Sequence, residues 1–70
     1  MHALELNKNN SLAISEKTGM KETEVLYRIA LHSTFLYKAK TLYMVGKVDE
    51  YKREMEIADF IEGQLRSGEK

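Results

Sequence analysis

Residues 21–46 have the sequence KETEVLYRIALHSTFLYKAKTLYMVG, and this stretch decides the fold. It contains no proline, and its only glycine is Gly46 at the end, so nothing interrupts a helix before that point. Glu22 and Glu24 suit the positive end of a helix dipole. The stretch therefore predicts one long helix that begins near Lys21 or Glu22 and is stopped by Gly46 after about Val45.

The apolar side chains of this helix fall on three stripes at helical spacing, whereas an ordinary surface helix has one. The first stripe contains Val25, Ile29, Leu36 and Tyr43, the second Leu26, Ala30, Tyr37 and Met44, and the third Leu31, Phe35 and Leu42. Three or four large side chains left in water forfeit about 1.5–3 kcal/mol each. That is a large share of the roughly 5–15 kcal/mol that stabilises a small domain.

A second copy of the chain would remove this cost by covering the long helix. We therefore expect a homodimer that packs through it. The expected dimer interface consists of Leu31, Phe35, Leu36, Leu42 and Tyr43.

Shorter helices are predicted on both sides of the long one. A brief helix from about Leu12 to Thr18 ends at Gly19, which adopts the left-handed conformation at low cost, and its cap is expected among the residues Asn9, Asn10 and Ser11. A third helix runs from about Asp49 to Arg66. Its predicted apolar stripe consists of Val48, Tyr51, Met55, Ala58, Ile61 and Leu65.

The connection around Gly46 and Lys47 is short, so the second and third helices are expected to form an antiparallel hairpin. The predicted fold class is all-α: a short helix followed by a long antiparallel helical hairpin, dimerising into a helical bundle. Residues 1–70 form a single helical domain in this prediction. Residues 1–10 are an N-terminal arm in which residues 1–7 are either a short strand or a loose segment, and residues 67–70 are a frayed tail.

Composition narrows the functional classes. The chain is 43% hydrophobic, which is too apolar for disorder throughout, and it has no cysteine for a disulfide or a thiolate metal site. Residues 1–10 lack the apolar stretch of a signal peptide, and no run approaches the roughly 20 apolar residues of a membrane helix. We expect a cytoplasmic protein that does not enter a membrane.

The net charge is zero, but its distribution is uneven. Residues 1–47 contain seven Lys or Arg against four Asp or Glu, a net charge of +3. Residues 48–70 contain four Lys or Arg against seven Asp or Glu, a net charge of −3. The first part of the chain is therefore suited to face a polyanion, and the last part is not.

Residues 11–29, SLAISEKTGMKETEVLYRI, resemble a helix-turn-helix DNA-binding unit. Small Ser15 stands four residues before Gly19, apolar Met20 follows the turn, and Val25 lies on the next helix. In that family the glycine makes the turn and the second helix presents its early residues to the major groove. The resemblance implies double-stranded DNA as a partner. It places Lys21, Thr23, Tyr27 and Arg28 near DNA, and Ser11, Lys17 and Lys8 near phosphates.

The same residues also resemble the second helix of ribbon-helix-helix repressors. Gly19 is followed by Thr23-Glu24-Val25 and by Arg28-Ile29, which fits that family's pattern. This resemblance implies an obligate dimer whose strand, within residues 2–7, enters the major groove. Glu22 and Glu24 oppose both DNA-binding hypotheses, because carboxylates near phosphates lower affinity.

A further alternative is a plain helical hairpin that serves as a protein-protein interaction module, an adaptor or antitoxin-like protein that does not bind DNA. Catalysis is not expected, because no nucleophile with a base partner and no phosphate-cradling glycine loop is present. His2 and His32 are the only histidines, so neither a metal site nor a cofactor is predicted.

Overall fold

A computed structural model describes residues 5–66 and shows three α-helices. A 3₁₀ turn at Lys8–Asn10 leads directly into α1, Ser11–Thr18. The long helix α2 is Glu22–Met44, and α3 is Val48–Leu65, packed antiparallel against α2. The predicted all-α class, the short first helix and the long hairpin are confirmed. Residues 5–7 form no strand, and residues 1–4, the rest of the alternative strand, lie outside the described part of the chain.

The N-cap residue of α1 is Asn10, within the predicted residues, but the side-chain capping bonds are made by Asn7, at the start of the 3₁₀ turn. The Asn7 side chain accepts hydrogen bonds from the backbone N–H groups of Asn9 and Asn10 at 3.0 and 3.2 Å. The side chain of Asn10 makes no capping bond, and its Nδ2 group donates instead to the backbone carbonyl of Glu5. The predicted side-chain bond is thus absent at residues 9–11, because the 3₁₀ turn extends the helical path backwards and the first free amides belong to residues 9 and 10.

Two glycines in the left-handed region end the first two helices, as predicted. Gly19 has a φ of 79° and its N–H donates to the carbonyl of Ser15. Gly46 has a φ of 83°; its N–H donates to the Tyr43 carbonyl, and the N–H of Lys47 donates to the Leu42 carbonyl. This second pair of bonds is a Schellman motif, which satisfies the last carbonyls of α2 and reverses the chain into α3.

The main core lies where α1 crosses the open end of the hairpin. Five buried side chains form it, contributed by all three helices: Ile14, Val25, Ile29, Ile61 and Leu65. Farther along the hairpin the buried residues are only Ala39 and Ala58, whose small side chains allow α2 and α3 to approach closely. The packing is therefore substantial at one end of the hairpin and thin towards its tip.

The predicted stripe of α3 faces this interior for most of its length. Ala58, Ile61 and Leu65 are buried, and Tyr51 and Met55 are partly buried. Val48 is the exception, with 47% of its surface exposed, because it is the first residue of α3 and α2 has already ended opposite it. The rings of Tyr43 and Tyr51 close the tip with their centroids 5.2 Å apart.

Candidate nucleic-acid interface

Side-chain hydroxyls from α1 hold the turn between α1 and α2. Ser15 Oγ donates to the carbonyl of Met20 at 2.6 Å. Thr18 Oγ1 donates to the carbonyl of Ile14 and accepts from the N–H of Met20. Because these bonds tie residues 18–20 back to α1, the direction in which α2 leaves the turn is fixed locally. The helix-turn-helix resemblance included Ser15 only as a small residue and did not include Thr18. A threonine directly before a glycine indicates a side chain that can hydrogen-bond to the nearby backbone.

Several polar side chains at the beginning of α2 are exposed to solvent. Lys21, Thr23 and Tyr27, which we call the reading segment, are all exposed, and Tyr27 is 65% exposed. Val25, between them in sequence, is fully buried in the core with Ile14. The start of α2 thus buries Val25 in the core and leaves the reading segment exposed, together with the apolar residue Leu26. Lys8 and Lys17, the expected phosphate contacts, are also exposed.

Arg28 does not share the surroundings of the reading segment. Its Nε and one terminal nitrogen donate to Oε2 of Glu24 at 3.1 and 2.8 Å. Its other terminal nitrogen donates to the side chain of Gln64 on α3. The guanidinium is half-buried and bridges α2 to α3, so in this conformation its donors serve the fold.

Ser11 was expected near phosphates, and the structure corrects this. The residue is buried, with 4% of its surface exposed, and Ser11 Oγ donates to Oε2 of Glu22 at 3.0 Å. The reason is positional: Ser11 is the first residue of α1 and faces the first turn of α2 across the Gly19 turn. Glu22 and Glu24, the two carboxylates that opposed DNA binding, therefore both have partners within the chain.

The five residues predicted for a dimer interface lie in different surroundings. Leu31 and Phe35 are partly buried against the main core. Leu42 is partly buried and lines an open groove of about 370 Å³ between α2 and α3. Leu36 and Tyr43 are exposed, at 39% and 64%. Three of the five therefore contribute to packing within one copy of the chain.

Of the three predicted stripes of α2, the second is the one whose residues are all exposed, although Tyr37 also lines the groove between α2 and α3. Leu26, Ala30, Tyr37 and Met44 are all exposed, with Tyr37 at 71% and Met44 at 74%. Ser33 and Lys40 are also exposed and fill the intervening helical positions. We call these six residues the outer stripe.

Two further observations limit the chemistry of the described residues. Within residues 5–66 there is no cluster of three or more histidine, aspartate or glutamate side chains that could hold a metal ion. Over the same range, no helix combines the length and apolar character that crossing a bilayer requires. No family model, curated protein or solved structure matches this chain.

Proposed function

We propose that this protein is a small dimeric DNA-binding protein, a transcriptional regulator, that contacts duplex DNA through α1, the Gly19 turn and the start of α2. One observation carries the proposal. The turn is locked by Ser15, Thr18 and left-handed Gly19, and the helix that follows has a buried apolar side and an exposed reading segment. Helix-turn-helix recognition needs this arrangement, because the second helix must be held rigidly while its early side chains reach base edges.

The electrostatics support the same surface. Lys8, Lys17 and Lys21 are exposed around the unit, while the carboxylates of Glu22 and Glu24 are drawn to Ser11 and Arg28. The acidic residues of the second half of the chain are carried mainly by α3, which packs on a different side of α2 from the reading segment. A polyanion that approaches the reading segment therefore meets Lys21 there, while the carboxylates of α3 lie on the side of α2 that carries Arg28 and His32.

A salt series tests the proposal. Binding of the protein to duplex DNA is measured from low to moderate salt, and log Kd is plotted against log salt concentration. Each phosphate contact contributes about 0.9 to the slope. Lys21→Ala should weaken binding and flatten the slope by about 1. Thr23→Ala should instead change the preference among DNA sequences, because a hydroxyl reads base edges.

Lys52→Ala is the matched control, since Lys52 is an exposed lysine on α3, outside the unit. Arg28→Ala is unsuitable as a diagnostic variant, because it also breaks the bridge to Gln64. The absence of binding at low salt would overturn the proposal. Equal losses in Lys21→Ala and Lys52→Ala would overturn the assigned surface.

A protein-protein interaction module is the second candidate, and the outer stripe favours it. Exposed Tyr37 and Met44 are residue types enriched at protein interfaces, and a module of this kind would use them without any role for the lysines. In that case Lys21→Ala would leave binding to the protein partner unchanged, and Tyr37→Glu would abolish that binding.

A further inference from the structure

The outer stripe has the spacing of a helix-packing seam. Its residues stand at positions 26, 30, 33, 37, 40 and 44, so the steps alternate between four and three residues. This is the heptad spacing by which two helices pack along their length. At about 1.5 Å of rise per residue, the seam is roughly 27 Å long. α1 and α3 leave all six residues exposed.

The face that carries this seam also lacks charge along much of its length. From Leu26 to Tyr37 every exposed residue of α2 is uncharged, although 31% of the chain is charged. The two basic residues in that interval, Arg28 and His32, are partly buried and contact Gln64 and Glu62 of α3. Depletion of charge is the compositional mark of an interface core.

We propose that a second copy of this chain packs antiparallel on the outer stripe, in the register where the numbers of facing residues sum to 70. This register places Leu26 against Met44 of the second copy, Ala30 against Lys40 and Ser33 against Tyr37. In the last two pairs a small side chain faces a long one, so each fills the space that the other leaves. The Lys40 stem lies over Ala30 while its ammonium reaches solvent.

The position of Lys40 selects the antiparallel direction. In a parallel pair, the seam would bring Lys40 against its own copy, and like charges facing each other across an interface are unfavourable. An antiparallel pair separates them. It also has the two-fold symmetry of a closed dimer, in which both copies use the same surface.

This dimer rests on the proposed function and deepens it, because it sets the distance between two reading segments. In the register that sums to 70, Thr23 and its symmetry mate are offset by 24 residues, about 36 Å along the helix axis. The two-fold axis stands perpendicular to the helix pair, so the reading segments, beside the seam, point to the same side. Adjacent major-groove half-sites lie about 34–36 Å apart.

Cysteine cross-linking tests the register directly, since the chain has no cysteine of its own. A mixture of Ser33→Cys and Tyr37→Cys proteins should form a mixed disulfide dimer under mild oxidation, and so should Ala30→Cys with Lys40→Cys. Lys52→Cys, on α3, should not cross-link. Efficient cross-linking of Lys40→Cys to itself would indicate a parallel pair and overturn the inference.

Sedimentation equilibrium tests the surface. Tyr37→Glu should weaken dimerisation about tenfold or more, because it buries a charge in the seam. Phe60→Glu is the matched control: Phe60 is a similarly exposed aromatic residue, at 67%, but lies on α3, so the dimer should persist. Circular dichroism checks that both variants stay helical.

The two proposals can fail separately. A wild-type protein that stays monomeric at high concentration, or a dimer that Tyr37→Glu leaves intact, overturns the inference about the outer stripe, whatever the DNA result. A dimer with the expected cross-links that binds no DNA at low salt supports the inference as an assembly and overturns the DNA-binding function.

Discussion

Three of the four glycines, at positions 19, 46 and 63, offer a controlled measurement of the energetic cost of backbone conformation in this fold. A Cβ added at any of them meets no heavy atom within 4 Å, so replacement by alanine introduces no clash. What differs is the backbone: Gly19 and Gly46 have φ values of 79° and 83°, whereas Gly63 lies inside α3. None of the three Gly→Ala variants introduces a steric clash, so differences in their stability report the cost of the backbone conformation alone.

The free energy of unfolding is expected to fall in Gly19→Ala and Gly46→Ala and to rise in Gly63→Ala. Alanine in the left-handed region costs about 1–2 kcal/mol, so Gly19→Ala and Gly46→Ala should each lower the free energy of unfolding by that amount. Alanine is favoured over glycine by about 0.8–1 kcal/mol in a helix interior and by less in the last turn, where Gly63 lies, so Gly63→Ala should raise the free energy of unfolding by up to that amount. The difference between the two classes is then about 1–3 kcal/mol. In a domain of this size each kcal/mol moves Tm by about 4–8 °C.

Urea and thermal unfolding followed by circular dichroism, at one fixed protein concentration, measure these differences. Gly19→Asn provides a control, because asparagine tolerates the left-handed region better than alanine and should lose less stability. The reasoning would be refuted if Gly19→Ala unfolded at the wild-type urea concentration. That result would remove the fixed turn on which the helix-turn-helix assignment depends. Loss of stability in Gly63→Ala would likewise contradict the exposed, unobstructed position of Gly63.

Two further predictions concern the core. Ile14→Ala should lower the free energy of unfolding by about 2–5 kcal/mol, because Ile14 is 1% exposed. Leu12→Ala, on the same helix but 58% exposed, should change it by about 0.5 kcal/mol or less. Denaturant titration compares the two variants. Ala58→Leu should destabilise the hairpin by about 1–3 kcal/mol through overpacking between α2 and α3. Thr34→Leu, at an exposed position of α2 outside the outer stripe, should leave the fold intact by circular dichroism. A neutral Ala58→Leu would mean that the two helices are not closely packed there.

The helix boundaries were predictable because local chemistry determines them. Gly19 and Gly46 stop helices by their backbone conformation, and the absence of proline leaves the interval between Glu22 and Met44 unbroken. The cap at Asn7 was not predictable in the same way. It depends on a 3₁₀ turn at residues 8–10, and asparagine or serine occupies several nearby positions with equal capping propensity.

The surroundings of individual α2 side chains depended on tertiary structure. The first stripe shows why: Val25 and Ile29 are buried, but Leu36 and Tyr43 on the same stripe are exposed. α1 has only eight residues, so it covers one end of that stripe and not the other. With three apolar stripes available, periodicity alone could not indicate which of them α3 would cover. The bridge from Arg28 to Gln64 was likewise not predictable from periodicity, because it joins residues that are 36 positions apart in the sequence.

α2 has three separate tasks in the proposed dimer, and its continuity links them. One side packs on α1 and α3, the outer stripe packs on the second copy, and the reading segment faces DNA. No glycine or proline lies between Glu22 and Met44, so the helix has no hinge at which the reading segment could move independently of the seam. The spacing of the two reading segments is therefore fixed by the packing register and not by a linker. A shift of one heptad would change that spacing by about 10 Å, enough to move one segment out of its groove. If the proposed dimer binds DNA as proposed, its register, specified by the pairing of Ser33 with Tyr37, determines the spacing of the DNA half-sites.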